Sequence, residues 1–315
     1  MIEVNNLTKQ YGRHTAVDNI SFKIDAGEIV GFLGPNGAGK TTTMNIMTGF
    51  IASTSGDVTI NGVDIVAEPE LAKTNIGYLP DIPPVYGDMR VSEYLNFVAD
   101  LKGVLNGRKQ MLKNVMTQVN IEDMSKRLIK NLSRGYRQRV GLAQAMVGDP
   151  KVIILDEPTI GLDPKQIIEM REVVKRLGRK HTVILSSHIM QEVNAVCDRV
   201  IIINRGKIVA TGTPEGLSKN FTSGKMRMLV RIQGKKEQIL NALRSTSVIS
   251  HIESQSSKEP GTEDFLLGSA DGEDVRAAIF RCMAKVNLPI LLMRPMELTL
   301  EEIFLSITDD KFNLV

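Results

Sequence analysis

The eight residues Gly34, Pro35, Asn36, Gly37, Ala38, Gly39, Lys40 and Thr41 set three glycines ahead of a lysine and a run of hydroxyls. Glycines let a backbone curl with its N–H groups turned inward, and a helix starting behind them adds partial positive charge, so this stretch is built to cradle phosphate oxygens. In that arrangement Lys40 reaches the β- and γ-phosphates, Thr41 offers a hydroxyl to Mg2+, and Thr42 bonds the neighbouring phosphate. Asp156 and Glu157 follow the apolar run Val152-Ile153-Ile154-Leu155. Carboxylates at a strand end on the same rim as a phosphate loop suit two tasks. Asp156 would hold Mg2+ through water, and Glu157 would orient or deprotonate a water for in-line attack on the γ-phosphate. His188 comes after the apolar run Val183-Ile184-Leu185 and Ser186-Ser187, 31 residues beyond Glu157. Taken alone, a histidine after an apolar strand is more often a satisfied structural residue.

These residues need a scaffold that brings strand ends together. Up to about residue 217 short β-branched runs alternate with longer segments of helical period, the pattern of a layered α/β domain with a largely parallel sheet. Residues 29–33, 152–155 and 183–185 are apolar on both faces and belong in the middle of a covered sheet. Residues 20–24 and 57–60 alternate, and turn residues follow each, so they read as antiparallel strands with one wet face. No strand is expected between about 88 and 147. Two amphipathic helices are suggested there, by Tyr94, Val98, Leu101 and Leu105 and by Met111, Val115 and Val119, and together they form a helical insertion. Within 102–139 ten Lys or Arg stand against two acids. That charge suits a solvated helical face or a surface turned towards anionic lipid or an acidic partner loop.

Residues 218–224 are polar and turn-prone and read as a linker. From 225 to 315 the pattern becomes strand 226–232, helix 237–243, strand 248–253, strand 264–267, helix 274–284 and strand 289–293, a βαββαβ unit of ferredoxin-like type. A last helix, opened by Thr299 with Glu302 as a capping box, would run through Ile303, Phe304 and Ile307.

Composition narrows the class. The 315 residues are 42% hydrophobic and 24% charged, which suits two globular domains with independent cores. No run reaches the length of a spanning helix, and the first residues lack a signal-peptide pattern, so the chain is expected in the cytosol or on the cytoplasmic face of a membrane. Two cysteines, far apart, form no metal or disulfide framework. A formal charge of +3 and the absence of Trp give no support to nucleic-acid binding.

LSRGYRQRVGLAQA, residues 132–145, stands directly before the strand that ends in Asp156. Together with the phosphate loop and the two acids, it resembles the signature motif of ABC-family ATPases. The resemblance covers about the first 217 residues. It implies the family's ATP-binding domain, a mixed sheet with helical and antiparallel β subdomains, and binding of ATP with Mg2+. Position by position, Tyr11 is similar to the aromatic residue that stacks on adenine, Asp163 lies in a D-loop, GLDP, and His188 resembles the switch histidine that touches the γ-phosphate, which would hold Glu157 and the water in register. Asp81, in YLPD, stands where the family has Gln or Glu, and as a shorter side chain it would bind Mg2+ through water. Ser133, Arg134, Gly135 and Tyr136 match the signature residues that meet the ATP of a partner subunit, with Arg134 and Tyr136 in place of Gly and Gln. Ser133 is also a good N-cap, and Gly135 lets an anion approach the helix start.

The resemblance further implies a second ATPase subunit, two copies enclosing two ATP molecules, and a separate membrane permease. A short permease helix would dock near Pro83, Tyr86, Tyr94 and Phe97, although these aromatics also suit the core of the insertion. GYLPD, EPTIGLDP and LTLEEIFLSIT resemble stand-alone subunits of bacterial exporters, and LSRGYRQR resembles the gliding-motility type. The competing readings are a non-transport ABC ATPase acting on a cytosolic partner and a nucleotide-gated regulatory module. The carboxylate of Glu157 speaks against a pure sensor.

Overall fold

Strand and helix alternate along the first two thirds of the chain in the order β1 (Ile2–Tyr11), β2 (His14–Ile24), β3 (Ile29–Leu33), α1 (Lys40–Met47), β4 (Ser55–Ile60), β5 (Val63–Asp64), α2 (Pro69–Thr74), β6 (Ile76–Leu79), α3 (Val91–Leu101), α4 (Arg108–Gln118), α5 (Arg134–Met146), β7 (Val152–Asp156), α6 (Pro164–Gly178), β8 (Thr182–Ser187), α7 (Met190–Val196), β9 (Arg199–Asn204), β10 (Lys207–Gly212) and α8 (Pro214–Thr222). The order then continues with β11 (Arg227–Gln233), α9 (Lys236–Arg244), β12 (His251–Gln255), β13 (Thr262–Gly268), α10 (Arg276–Lys285) and β14 (Ile290–Met296). This computed structural model describes residues 1–222, 227–257, 259–269, 274–296 and 301–304. Two units result, one built from Met1–Pro214 and the other from Glu215–Ile303.

In the first unit six strands run in the order β10-β9-β3-β8-β7-β6, and a second sheet, β2-β1-β4-β5, is antiparallel. Pairing from β9 to β6 is parallel, and β10 closes the edge antiparallel to β9. The fully buried residues of β3, β7 and β8 explain why their sequences are apolar on both faces. One core joins Ile2, Leu7 and Ile60 of the antiparallel sheet to Phe32, Ile154 and Ile184 of the larger one, with Met44 and Met47 of α1 among them. Register places Leu33 beside Ser187 and Asp156 beside Ser186. The segments that leave β3, β7 and β8 therefore emerge on one rim.

β1 has no clean alternation to read, because its register shifts between Val4 and Leu7 and Asn6 adopts a φ of 49°. A bulge moves an extra residue through the pleat and breaks the period of two.

Three helices, α3, α4 and α5, fill residues 91–146, and α3 is tied to α5 where the Tyr94 hydroxyl donates to Gln144 Oε1 at 2.6 Å. The apolar stripe of α3 is shorter than its sequence suggests. Val91, Tyr94, Leu95 and Val98 are buried, but Leu101 and Leu105 are 71% and 86% exposed. Gly103, at φ 64°, turns the chain out of the helix just beyond Leu101.

In the second unit the sheet order is β12-β13-β11-β14 with every pair antiparallel. This is the arrangement of a ferredoxin-like βαββαβ unit. Met228, Val230 and Ile232 of β11 meet Ile239 and Leu243 of α9 and Ile279 and Met283 of α10 in its core. The segment read as a linker differs: residues 218–222 continue α8, which Pro214 opens, while 223–226 lie outside the described residues. Residues 301–304 are helical, with Ile303 and Phe304 buried. Thr299 and Ile307 of the expected last helix lie outside the described residues.

Candidate active site

A cavity of about 590 Å3 opens at the common rim, lined by Tyr11, His14, Ala16, Asn36, Gly37, Gly39, Lys40, Thr41, Thr42, Asp81, Glu157, Ile160 and His188. Residues from five separate stretches of sequence thus face one space. The loop from β3 into α1 forms its floor. Gly37 and Gly39 have φ of 80° and 109°, which favours glycine at both, and a Cβ on Gly39 would lie 2.6 Å from the Ala16 carbonyl. Gly34 has a different reason for being glycine, since a Cβ there would lie 2.5 Å from the Ile203 carbonyl oxygen. It is small in order to pack against β9, and Gly34, Pro35 and Ala38 hold the loop without lining the cavity.

Lys40, the first residue of α1, is 6% exposed, and its Nζ donates to the carbonyls of Gly34 at 2.8 Å and Pro35 at 3.3 Å. It also lies 3.6 Å from Glu157 Oε1. The other carboxylate oxygen of Glu157, Oε2, accepts from His188 Nδ1 at 2.9 Å. Glu157 is therefore suspended between a lysine and a histidine at the mouth of the phosphate loop. Its backbone is unusual, with φ of 48°, a conformation that costs a non-glycine residue roughly 1–3 kcal/mol. Ser186 holds it there, because the Glu157 N–H donates to the Ser186 carbonyl at 3.2 Å and hydroxyl at 3.1 Å. The Ser186 hydroxyl in turn donates to Asp156 Oδ1.

Asp156 is 1% exposed and does not line this cavity. With Thr41 and Asp81 it lines an adjoining groove of about 730 Å3. Tyr78 lines the same groove, and its hydroxyl is pushed well above its usual pKa by burial and then by the charges of Asp156 and Asp81. Tyr78 donates instead to Asn45 Oδ1 at 3.2 Å.

Ser133, Arg134, Gly135, Tyr136 and Asp163 are not among the residues lining the cavity. Ser133 caps α5, its hydroxyl accepting from Tyr136 N at 3.4 Å, and Asp163 caps α6 by accepting from Gln166 N at 2.9 Å. A Cβ on Gly135 would lie 2.4 Å from Gln166 Oε1, and one on Gly161 would lie 2.4 Å from the Arg134 guanidinium. The start of α5 thus rests on the loop and helix that follow Glu157.

Some of the site was not visible in the sequence. His14 stands at the start of β2, opposite Tyr11 across a two-residue turn at Gly12, and the hairpin carries it into the cavity wall with Tyr11. Glu192 is 2% exposed behind the rim, and its Oε2 accepts from Thr159 Oγ1 at 2.6 Å and Ser187 Oγ at 3.1 Å. The only sequence cue was an acid in the first turn of a helix just after His188.

The aromatic residues expected around a docking groove divide. Tyr94 is 2% exposed and belongs to the core, where burial lifts its hydroxyl pKa to about 12. Tyr86 is exposed and sits edge-on to both Tyr94 and Phe97. The groove that holds Asp156 is also lined by Phe50, Ile82 and Pro84, and Phe50 and Ile82 are 78% and 79% exposed.

A mixed sheet whose strand ends bring a glycine-rich loop, a lysine, a carboxylate and a histidine into one cavity, with a second strand-end acid on the adjoining groove, is the build of a nucleoside-triphosphate hydrolase. The comparisons name the family. A family model described as ABC transporter matches residues 17–160. The linearmycin resistance ATP-binding protein LnrL of Bacillus subtilis is 32% identical over 310 residues, covering 98% of each chain. An uncharacterized ABC transporter ATP-binding protein of the same bacterium, YhcH, is 42% identical over 211 residues, 66% of this chain and 68% of that one. A dimeric bacterial ABC transporter cassette of known structure is similar with a TM-score of 0.62 and 25% identity, over 68% of this chain and 98% of its own. The chain belongs to the family of ABC transporter ATP-binding subunits, and it is an ATP-binding, ATP-hydrolysing protein of that family.

Proposed function

We propose that two copies of this chain enclose two Mg-ATP molecules and that hydrolysis drives a separate membrane permease acting as an exporter. The observation that carries the hydrolytic part is the suspension of Glu157 between Lys40 and His188 in one cavity. ATP lies along the loop 34–42, its adenine against Tyr11 and its phosphates towards the N–H groups that open α1. Glu157 orients and deprotonates the attacking water, Lys40 offsets charge on the outer phosphates, and His188 holds Glu157 in line.

Mg2+ prefers oxygen ligands, and Thr41, Asp81 and Asp156 offer only oxygens around one groove. Asp81 Oδ1 is buried with no hydrogen-bond partner among the described residues, which fits a group that awaits a cation or its water. A bound Mg2+ neutralises charge on the phosphates. Asp156, with one oxygen already taken by Ser186, and Asp81 would hold it together with the Thr41 hydroxyl.

Each chain then lends the start of α5, with Ser133, Arg134, Gly135 and Tyr136, to the nucleotide of the other. This is supported by the position of these residues outside the cavity of their own chain and by the likeness to a dimeric cassette. The groove between Phe50, Ile82 and Pro84 has the apolar walls that a short permease helix needs. No helix among the described residues is long and apolar enough to cross a membrane. The permease proposed here is a separate chain, with this subunit at the cytoplasmic face of the membrane. Relatives named for linearmycin resistance and for bacitracin and lantibiotic transport favour export.

Glu157→Gln removes the base while keeping the shape, and should trap the ATP-bound dimer. The tagged variant, isolated from native membranes in mild detergent with Mg-ATP, should carry a stoichiometric polytopic membrane protein, identified by mass spectrometry. Recovery with ribosomes, DNA-repair proteins or nothing but itself would overturn the transporter reading.

A further inference from the structure

We infer that Glu192 is a positioning residue for ATP hydrolysis, which binds the segment carrying Glu157 to the segment carrying His188. The inference deepens the proposed roles of those two residues and rests on them. Glu192 does not line the nucleotide cavity. Its Oε2 nevertheless collects one hydroxyl from each of the two segments that do. Thr159 lies two residues after Glu157 and donates at 2.6 Å, and Ser187 lies one residue before His188 and donates at 3.1 Å.

A carboxylate that is 2% exposed is costly to bury unless it is well bonded. Glu192 is only half satisfied, because its Oε1 has no hydrogen-bond partner among the described residues. Stability alone would favour an uncharged residue at this place. What a carboxylate adds is a shorter, stronger acceptor for hydroxyls arriving from two directions.

That acceptor is placed where the backbone needs it. Glu157, at φ 48°, is anchored on its strand side by Ser186. Downstream, the chain turns with Ile160 N donating to the Glu157 carbonyl at 3.1 Å, and the Thr159 hydroxyl is the side-chain tie from this turn to α7. On the other segment, Ser187 Oγ accepts from Ile189 N at 3.0 Å while donating to Glu192, so the backbone on both sides of His188 is fixed by the same acid. The 2.9 Å contact between His188 and Glu157 is thus backed by a second bond between their carriers.

The test uses the full chain with Mg-ATP and steady-state hydrolysis. Thr159→Val and Glu192→Gln should each lower kcat roughly 10- to 100-fold, the scale of a small misplacement of a reacting group, while KM for ATP stays within about twofold. Thr159→Ser, which keeps the hydroxyl, should restore kcat. In a Glu157→Gln background, Thr159→Val should lower the residual rate no further. If Glu157→Gln is as active as the parent, the role of Glu157 falls and this inference with it. If Glu157→Gln is inactive but Thr159→Val and Glu192→Gln keep the parent kcat, or raise KM in step with any loss, or Thr159→Ser fails to restore, the inference alone is overturned.

Discussion

Two helices of this protein begin at motifs proposed to meet ATP, the glycine-rich loop and LSRGY, and their first turns are finished in opposite ways. α1 starts after Gly39, in a left-handed conformation with no side chain capping it, and its first residues open into the cavity beside Lys40 and Glu157. α5 starts after Ser133, whose hydroxyl occupies a backbone N–H, and its second residue is roofed by Gln166. The first leaves donors for a ligand to satisfy, whereas the second is already self-capped and braced against α6. A helix end without its own cap leaves N–H groups that water or a bound anion can satisfy. The start of α1 opens its first residues into the cavity, whereas the start of α5 is capped and packed against its own chain, as the proposed presentation of α5 to a second copy requires.

The sharpest way to break this contrast is at the uncapped end. Glu157→Gln should lower kcat at least about 100-fold, the usual worth of a general base, while ATP binding persists and a dimer accumulates by light scattering. Undiminished turnover would remove Glu157 from the chemistry. The braced end comes next. Gly135→Ala pushes a methyl into Gln166 and should lower hydrolysis roughly tenfold by displacing the start of α5. A fluorescent ATP analogue should still bind a single chain as before, and loss of that binding would mean that the two ends are not separate. Asp81→Glu probes the edge of the cavity. If Asp81 reaches Mg2+ through water, the longer side chain should leave hydrolysis unchanged within about twofold or improve it, and a large loss of turnover would contradict that role.

The smallest effect is expected far from both ends. Arg199 donates to both oxygens of Glu28 at 2.6 and 2.8 Å and holds its carboxyl below the ordinary value of 4.5. A depressed carboxyl contributes stability that is present above its unfolded pKa and lost as pH falls through the folded one. Glu28→Gln should therefore cost no more than about 1 kcal/mol at neutral pH, and the difference from the parent should shrink below pH 4.5 in a denaturant titration, with no change in ATP turnover.

Both ends could be read without a structure. Short-range chemistry is local: glycines before Lys40, acids after an apolar strand, and a serine before a helix are adjacent in the chain and carry their own reason for being there. The buried strands and the βαββαβ order of the second unit were legible for the same reason, since the period of apolar residues reports which face is covered. Where a bulge broke the period, as at Asn6 in β1, the strand went unseen.

The amino-acid sequence by itself determined the phosphate loop, the acids and histidine, the capped start of α5 and the division into a large α/β unit and a smaller α+β one. Only the tertiary structure decided which of these share a cavity, that a Cβ on Gly34 would meet β9, that His14 joins Tyr11, that Tyr94 is buried in the helical core while Phe50 and Ile82 line an exposed groove, and that Glu192 ties Thr159 to Ser187. The physical reason is range. A residue's chemistry and its nearest turn are fixed by its neighbours in the chain, but a contact such as that of Thr159 with Glu192 spans 33 residues and exists only once β7 and β8 lie side by side.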